Sequence, residues 1–116
     1  MCRAVYLIVP SIVNHNHGMA GRVVAHIDMN AFFASVAQAA APHLSGKPVL
    51  VAGGPGDRGV VLTASYEARP SGARSGMALR TARRLCPEAI VVPPDRAAYS
   101  SASRSIERIC LTVTDR

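Results

Sequence analysis

The chain has 116 residues, of which 49% are hydrophobic, 17% charged and 4% aromatic. That length favours one domain over two, and the composition lies outside the polar, highly charged range of disordered chains, so an aliphatic core can form. Lys and Arg number 13 against 7 Asp and Glu, a formal charge of +6, which suits a polyanionic partner, with plain solubility as the alternative.

Every cation except Lys47 is arginine, and guanidinium forks match phosphate oxygens two at a time. Cys2, Cys86 and Cys110 are odd in number with no C-x-x-C spacing. They argue against a disulfide framework or zinc cluster and point to a reducing, cytoplasmic setting. The longest apolar stretch, Ala4 to Val9, is stopped by Pro10, well short of the roughly 20 residues of a membrane span.

Residues 1–21 read as an extension or a mis-assigned start, expected to be disordered. Arg3 and the apolar Ala4 to Val13 loosely imitate a signal peptide, but Pro10 interrupts them and the cleavage pattern is poor. Met19 is the favoured start, because Met19-Ala20-Gly21-Arg22 leads directly into a strand pattern. His15 and His17 read as a solvated linker, since no third metal ligand lies nearby.

Alternating strands and helices follow, an α/β (α+β) pattern. Val23 to Ile27 is an apolar run suited to a strand buried on both faces and ends at Asp28. Asn30 is placed to cap a helix over Ala31 to Ala41, in which Phe32 and Val36 recur at helical spacing before Pro42 ends it. Pro48 to Ala52 and Val60 to Thr63 predict a hairpin joined by the glycine-rich Gly53 to Gly59. Tyr66 to Gly76 predicts one or two helical turns and then loop, Ala78 to Cys86 a short helix, and Ile90 to Val92 a short strand. Asp95 caps a longer helix whose stripe, Tyr99, Ala102, Ile106, Ile109 and Val113, must pack on something.

Three features bear on chemistry. Gly54, Gly56 and Gly59 formally spell G-x-G-x-x-G, but a strand pattern follows where a dinucleotide site needs a helix, and a flexible hairpin turn is the simpler reading. No Lys-Ser/Thr follows, which excludes a Walker loop. Asp28, at a strand exit, reads equally as a cation ligand or a helix cap, with His26 a packed neighbour. Tyr66 and Arg69, three apart, point the same way on a helical turn and offer a hydroxyl and a guanidinium to a phosphate group, or form an ordinary surface pair.

Read in order, Val24-Ala25-His26-Ile27-Asp28-Met29-Asn30-Ala31-Phe32-Phe33-Ala34-Ser35-Val36 resembles the opening motif of the Y-family translesion DNA polymerases of the DNA polymerase IV and UmuC type. Leu44 to Val49, Gly59 to Arg69, Gly72 to Met77, Cys86-Pro87 and Val92 to Asp95 continue the resemblance, which spans about residues 22 to 110. It implies a first palm strand (22–30), a small fingers subdomain (31–97) and the start of a palm helix (98–116). Asp28 is then implied as a catalytic Mg2+ ligand with the Met29 backbone carbonyl beside it, in a two-ion site that activates the primer hydroxyl and steadies the leaving pyrophosphate. Phe33 is implied as the steric gate that rejects a ribose 2′-hydroxyl. The amides of Ala31, Phe32 and Phe33 would face the dNTP triphosphate, and Tyr66 and Arg69 its outer phosphates, with Thr63 nearby. Val49 to Met77 would lie over the templating base pair, with a pocket of small residues, Ala64, Ser65 and Gly76, leaving room for damaged bases.

The pattern also departs from that family. Asn30 stands where many members have Asp, and Pro70-Ser71 is expected to loosen the Arg69 turn. The Ser-x-Asp-Glu motif that supplies the remaining metal ligands does not occur, and Asp115 is a poor substitute. The expectation is therefore a fragment, truncated before that motif and inactive alone, whose family partners are primer-template DNA and dNTP, with any sliding-clamp contact in the missing C-terminal part. Three alternatives remain: a non-catalytic DNA- or partner-binding module of a mutagenesis complex, a nucleotide-binding oxidoreductase fragment, and a decayed, barely folded product.

Overall fold

The computed structural model describes residues 27–113. It divides the chain into two units, Met1–Asn30 and Ala31–Arg116. In the first, Ile27 to Met29 have no regular secondary structure and Asn30 lies in a turn. The expected strand Val23 to Ile27 falls, apart from Ile27, outside the described residues, as do the leader with Met19, His15 and His17, and also Cys2, His26 and Asp115.

The second unit opens with helix α1 (Phe32–Ala40), an alanine-rich segment that ends where Ala41 precedes Pro42 and takes an extended φ of −126°. A 3₁₀ turn over Pro42–Leu44 leads to strand β1 (Val49–Gly53), a 3₁₀ turn over Gly56–Arg58 and strand β2 (Val60–Ala64). After a 3₁₀ turn at Arg69–Ser71 come helix α2 (Leu79–Leu85), strand β3 (Ile90–Val92) and helix α3 (Arg96–Cys110). Asp95 caps α3 as expected, its carboxylate accepting from the Ala98 amide at 3.0 Å.

The sheet has the order β2-β1-β3. β1 and β2 form the expected antiparallel hairpin, with an irregularity between Val51 and Ala52, while β3 runs parallel to β1, Val49 opposite Ile90. Val49, Leu50 and Val51 are fully buried, which explains why the central strand is an unbroken apolar run. Leu50 and Ala52 face a core shared with Val61, Ala64, Ala68, Ala73, Leu79, Ala82 and Cys86. Val49 and Val51 alternate onto the other face, and α1 packs against β1 and β2.

Ser65, 1% exposed, closes the hairpin reciprocally: its Oγ accepts from the Val49 amide at 2.9 Å, and its own amide donates to the Val49 carbonyl at 2.9 Å. The free edge of β2 is covered by the next segment, where Gly76 N donates to the Val61 carbonyl and Val61 N to the Met77 carbonyl. At Gly59 any Cβ would collide with the Gly53 carbonyl oxygen. The glycine is needed for hairpin closure, and a strand follows it, so the dinucleotide reading falls away.

The α3 stripe loses its cover toward the C-terminal end: Ala102 and Ile106 are still half-buried. Tyr99 is 8% exposed, whereas Ile109 is 68% and Val113 85% exposed. Leu50→Ala is expected to lower the unfolding free energy by about 2 to 5 kcal/mol in urea titration, and Gly59→Ala to destabilise the hairpin measurably. Ile109→Ala should stay within about 0.5 kcal/mol of the parent; a cost as large as that of Leu50→Ala would contradict the uncovered face.

Candidate functional site

Two groups of side chains flank the sheet. The first gathers at the start of α1. Phe33 stacks on Tyr99 of α3, with centroids 4.1 Å apart and planes 17° from parallel. Phe32 tilts against both rings, 5.8 Å from Phe33 and 6.2 Å from Tyr99. Such pairs add about 0.5 to 1.5 kcal/mol beyond burial, so the Phe33 ring is held flat against a buried partner.

The N-cap of α1 is Ala31, at φ 48° and ψ 41°, with no side-chain cap hydrogen bond. The N-cap position thus falls one residue past the Asn30 expected there. Ala31 is buried and is the one non-glycine with positive φ among the described residues. The helix's first amides, beginning with those at Ala31, Phe32 and Phe33, have no intrahelical acceptor.

The second group is the turn after β2. Tyr66 is 51% exposed, and the Arg69 guanidinium lies over its ring, 4.7 Å from the centroid. Arg69 Nε donates to the Ala64 carbonyl at 3.2 Å, leaving the terminal nitrogens without a hydrogen bond among the described residues. Pro70 does not loosen this turn: it sits at the start of the 3₁₀ segment, where no N–H is needed. Ser71 Oγ donates to the Ala68 carbonyl at 2.6 Å. The expected pairing of Tyr66 with Arg69 is thus realised.

Other expectations fare differently. Thr63 lies on β2 opposite Val51 and is 8% exposed. Ala64 and Ser65 are each 1% exposed, so they belong to the core and line no pocket; only Gly76 of that trio is exposed. The exposed side chains of β2 are Val60 and Leu62, at 49% and 44%.

In the first unit, Asp28 is exposed and Met29 half-buried, so the burial cost that pointed Asp28 toward a cation does not arise. Among the described residues no three or more His, Cys, Asp or Glu gather to hold a metal ion. One carboxylate does not hold two magnesium ions, and this donor set does not by itself fit a two-ion centre. No helix among the described residues is long and apolar enough to cross a membrane.

Sequence reading did not reveal a bond between α1 and the second group. Gln38 Nε2 donates to Glu67 Oε2 at 3.0 Å and to the Lys47 carbonyl at 3.0 Å. Glu67 lies between Tyr66 and Arg69, but Gln38, one of its partners, is 29 positions away, beyond any local pattern.

The α/β unit has the fold of the corresponding part of Y-family DNA polymerases. The chain belongs to the impB/mucB/samB family, which matches residues 27–116. Its relatives include the DNA polymerase IV of Bacillus velezensis, 49% identical over 96 residues that cover 82% of this chain and 23% of the relative. The DNA polymerase IV of Stenotrophomonas maltophilia is 53% identical over 94 residues, covering 81% and 26%. Among solved structures, a Y-family DNA polymerase chimera superposes with a TM-score of 0.72 at 33% identity, covering 75% of this chain and 26% of that one. DinB from Sulfolobus solfataricus gives 0.70 at 36% identity, with the same coverage. The chain spans about a quarter of the length of these relatives.

Tyr99→Ala should cost about 3 to 5 kcal/mol in chemical denaturation, whereas Tyr99→Phe, which keeps the ring, should cost under about 1 kcal/mol. Equal costs would show that the hydroxyl, not the stack, holds α1 to α3.

Proposed function

We propose that this chain supplies the nucleotide-facing part of a translesion DNA polymerase: the first palm segment in 22–30, whose described residues 27–30 are not strand, fingers in 31–97, and the start of a palm helix in 98–116. The observation that carries the reading is the Phe33–Tyr99 stack. A steric gate must be a flat surface that does not yield, and a ring pressed on a buried aromatic meets that need. The start of α1, whose N-cap Ala31 makes no side-chain cap bond, favours anions, in keeping with a triphosphate held by the amides of Ala31 to Phe33. Tyr66 and Arg69 take the outer phosphates, with Thr63 of β2 as the further candidate of this group.

Asp28 and the Met29 carbonyl are the proposed magnesium ligands of this chain, and no chemical step is assigned to them alone. The family's partners, primer-template DNA and dNTP, and a cytoplasmic setting complete the proposal. A non-catalytic DNA-binding module is the second reading, favoured by the exposure of every described arginine except Arg69. DNA binding that survives Asp28→Ala and weakens steeply with salt, without dNTP affinity, would select it.

In calorimetric titration with magnesium and a deoxynucleoside triphosphate, Arg69→Ala is expected to raise the dissociation constant at least about tenfold, the scale of a lost charge-assisted bond. Phe33→Ala is expected to bring ribo- and deoxynucleotide affinities within about twofold of each other, as a removed steric gate requires. Unchanged affinities in both variants would overturn the site. The chain alone is expected not to extend a primer; extension abolished by Asp28→Ala would overturn that part.

A further inference from the structure

We infer that Gln38 and Glu67 form a latch that fixes the Tyr66–Arg69 turn relative to Phe33, making both positioning residues for the triphosphate and sugar ends of one nucleotide. The inference rests on the nucleotide site proposed above and adds what aligns its two halves.

The turn has two anchors. At its base, the Ala68 and Arg69 amides donate to the Ser65 carbonyl at 3.1 and 3.2 Å, and Ser65 is bonded to β1 through Val49. That anchor ties the turn to the sheet, on which α1 also packs, and so reaches α1 only indirectly. The second anchor is the Glu67 carboxylate, which accepts from Gln38 Nε2 while the same amide nitrogen donates to the Lys47 carbonyl. One side-chain amide thus joins α1, the approach to β1 and the turn.

α1 also carries Phe33, five residues before Gln38, about 7.5 Å along a stiff helix. A shift of the turn against Gln38 is therefore a shift of the phosphate-side residues against the sugar-side ring. The latch lies on the half-exposed surface, where a hydrogen bond contributes about 1 kcal/mol. That is too little to determine the fold and enough to bias an alignment. Because misalignment of about 1 Å is costly only for a ligand that touches both ends, the latch matters to a nucleotide and not to a bare polyphosphate.

The test compares two probes on the 116-residue chain, a deoxynucleoside triphosphate and inorganic tripolyphosphate, each with magnesium. Gln38→Ala and Glu67→Ala are expected to reduce the preference for nucleotide over tripolyphosphate about three- to tenfold, leaving tripolyphosphate affinity within about twofold of the parent. Glu67→Gln keeps an acceptor for Gln38 and should retain the parental preference. Gln38→Glu opposes two acceptors and should be the most damaging single change, with Glu67→Gln in the same chain restoring part of the loss.

An unchanged preference in both alanine variants overturns the latch. So does an equal loss for both probes with a lowered melting temperature, which would mark a structural tie only. If the parent chain shows no preference for nucleotide, the site itself falls, and the latch with it. That outcome is seen in the parent before any latch variant is made.

Discussion

The structure depends on one strand being dry on both faces. Val49, Leu50 and Val51 are fully buried, and each such side chain contributes about 1.5 to 3 kcal/mol when withdrawn from water. To cover both faces, α1 must lie on one side while α2 and the Tyr66 to Gly76 segment fill the other. With few aromatics available, the fill consists of small residues, Ala64, Ala68, Ala73 and Ala82. These allow the turn carrying Tyr66 and Arg69 to approach the sheet closely, so the side chains that project outward are positioned by the ones packed inward.

Local signals in the sequence were read correctly where local physics decides. Pro42 and Pro87 end helices because the residue before proline is driven to extended backbone: Ala41 has φ −126° and Cys86 φ −132°. Asp95 caps α3, and the glycine-rich stretch closes a hairpin. The N-cap of α1 falls one residue past the expected Asn30, at the buried, left-handed Ala31. The pocket of small residues failed because smallness does not distinguish a residue that makes room for a ligand from one that makes room for the core, and Ala64 and Ser65 are of the second kind.

The candidate site divides along the same line. Tyr66 and Arg69 are three apart, and their pairing was legible from spacing alone. The contact of Phe33 with Tyr99 was not: Tyr99 showed only as the first member of a helical stripe, and nothing in that period says which partner it meets. The parallel pairing of β3 with β1 and the bond between Gln38 and Glu67 are also long-range, fixed by the chain path and not by neighbouring residues.

The positive charge acquires two meanings once exposure is known. Arg69 is the one described arginine that is partly buried, and its direction is constrained twice, by the Ala64 carbonyl and by the Tyr66 ring. A cation so held interacts with a ligand at a definite place and is little screened by salt. The others project into solvent, where interactions fade over roughly 8 to 10 Å at ordinary ionic strength. They create a diffuse field that draws polyanions without orienting them. On the nucleotide reading proposed above, orientation falls to the few side chains whose positions are over-determined, Phe33 by Tyr99 and Arg69 by its carbonyl and ring, and specificity would then be a property of the packed interior more than of net charge.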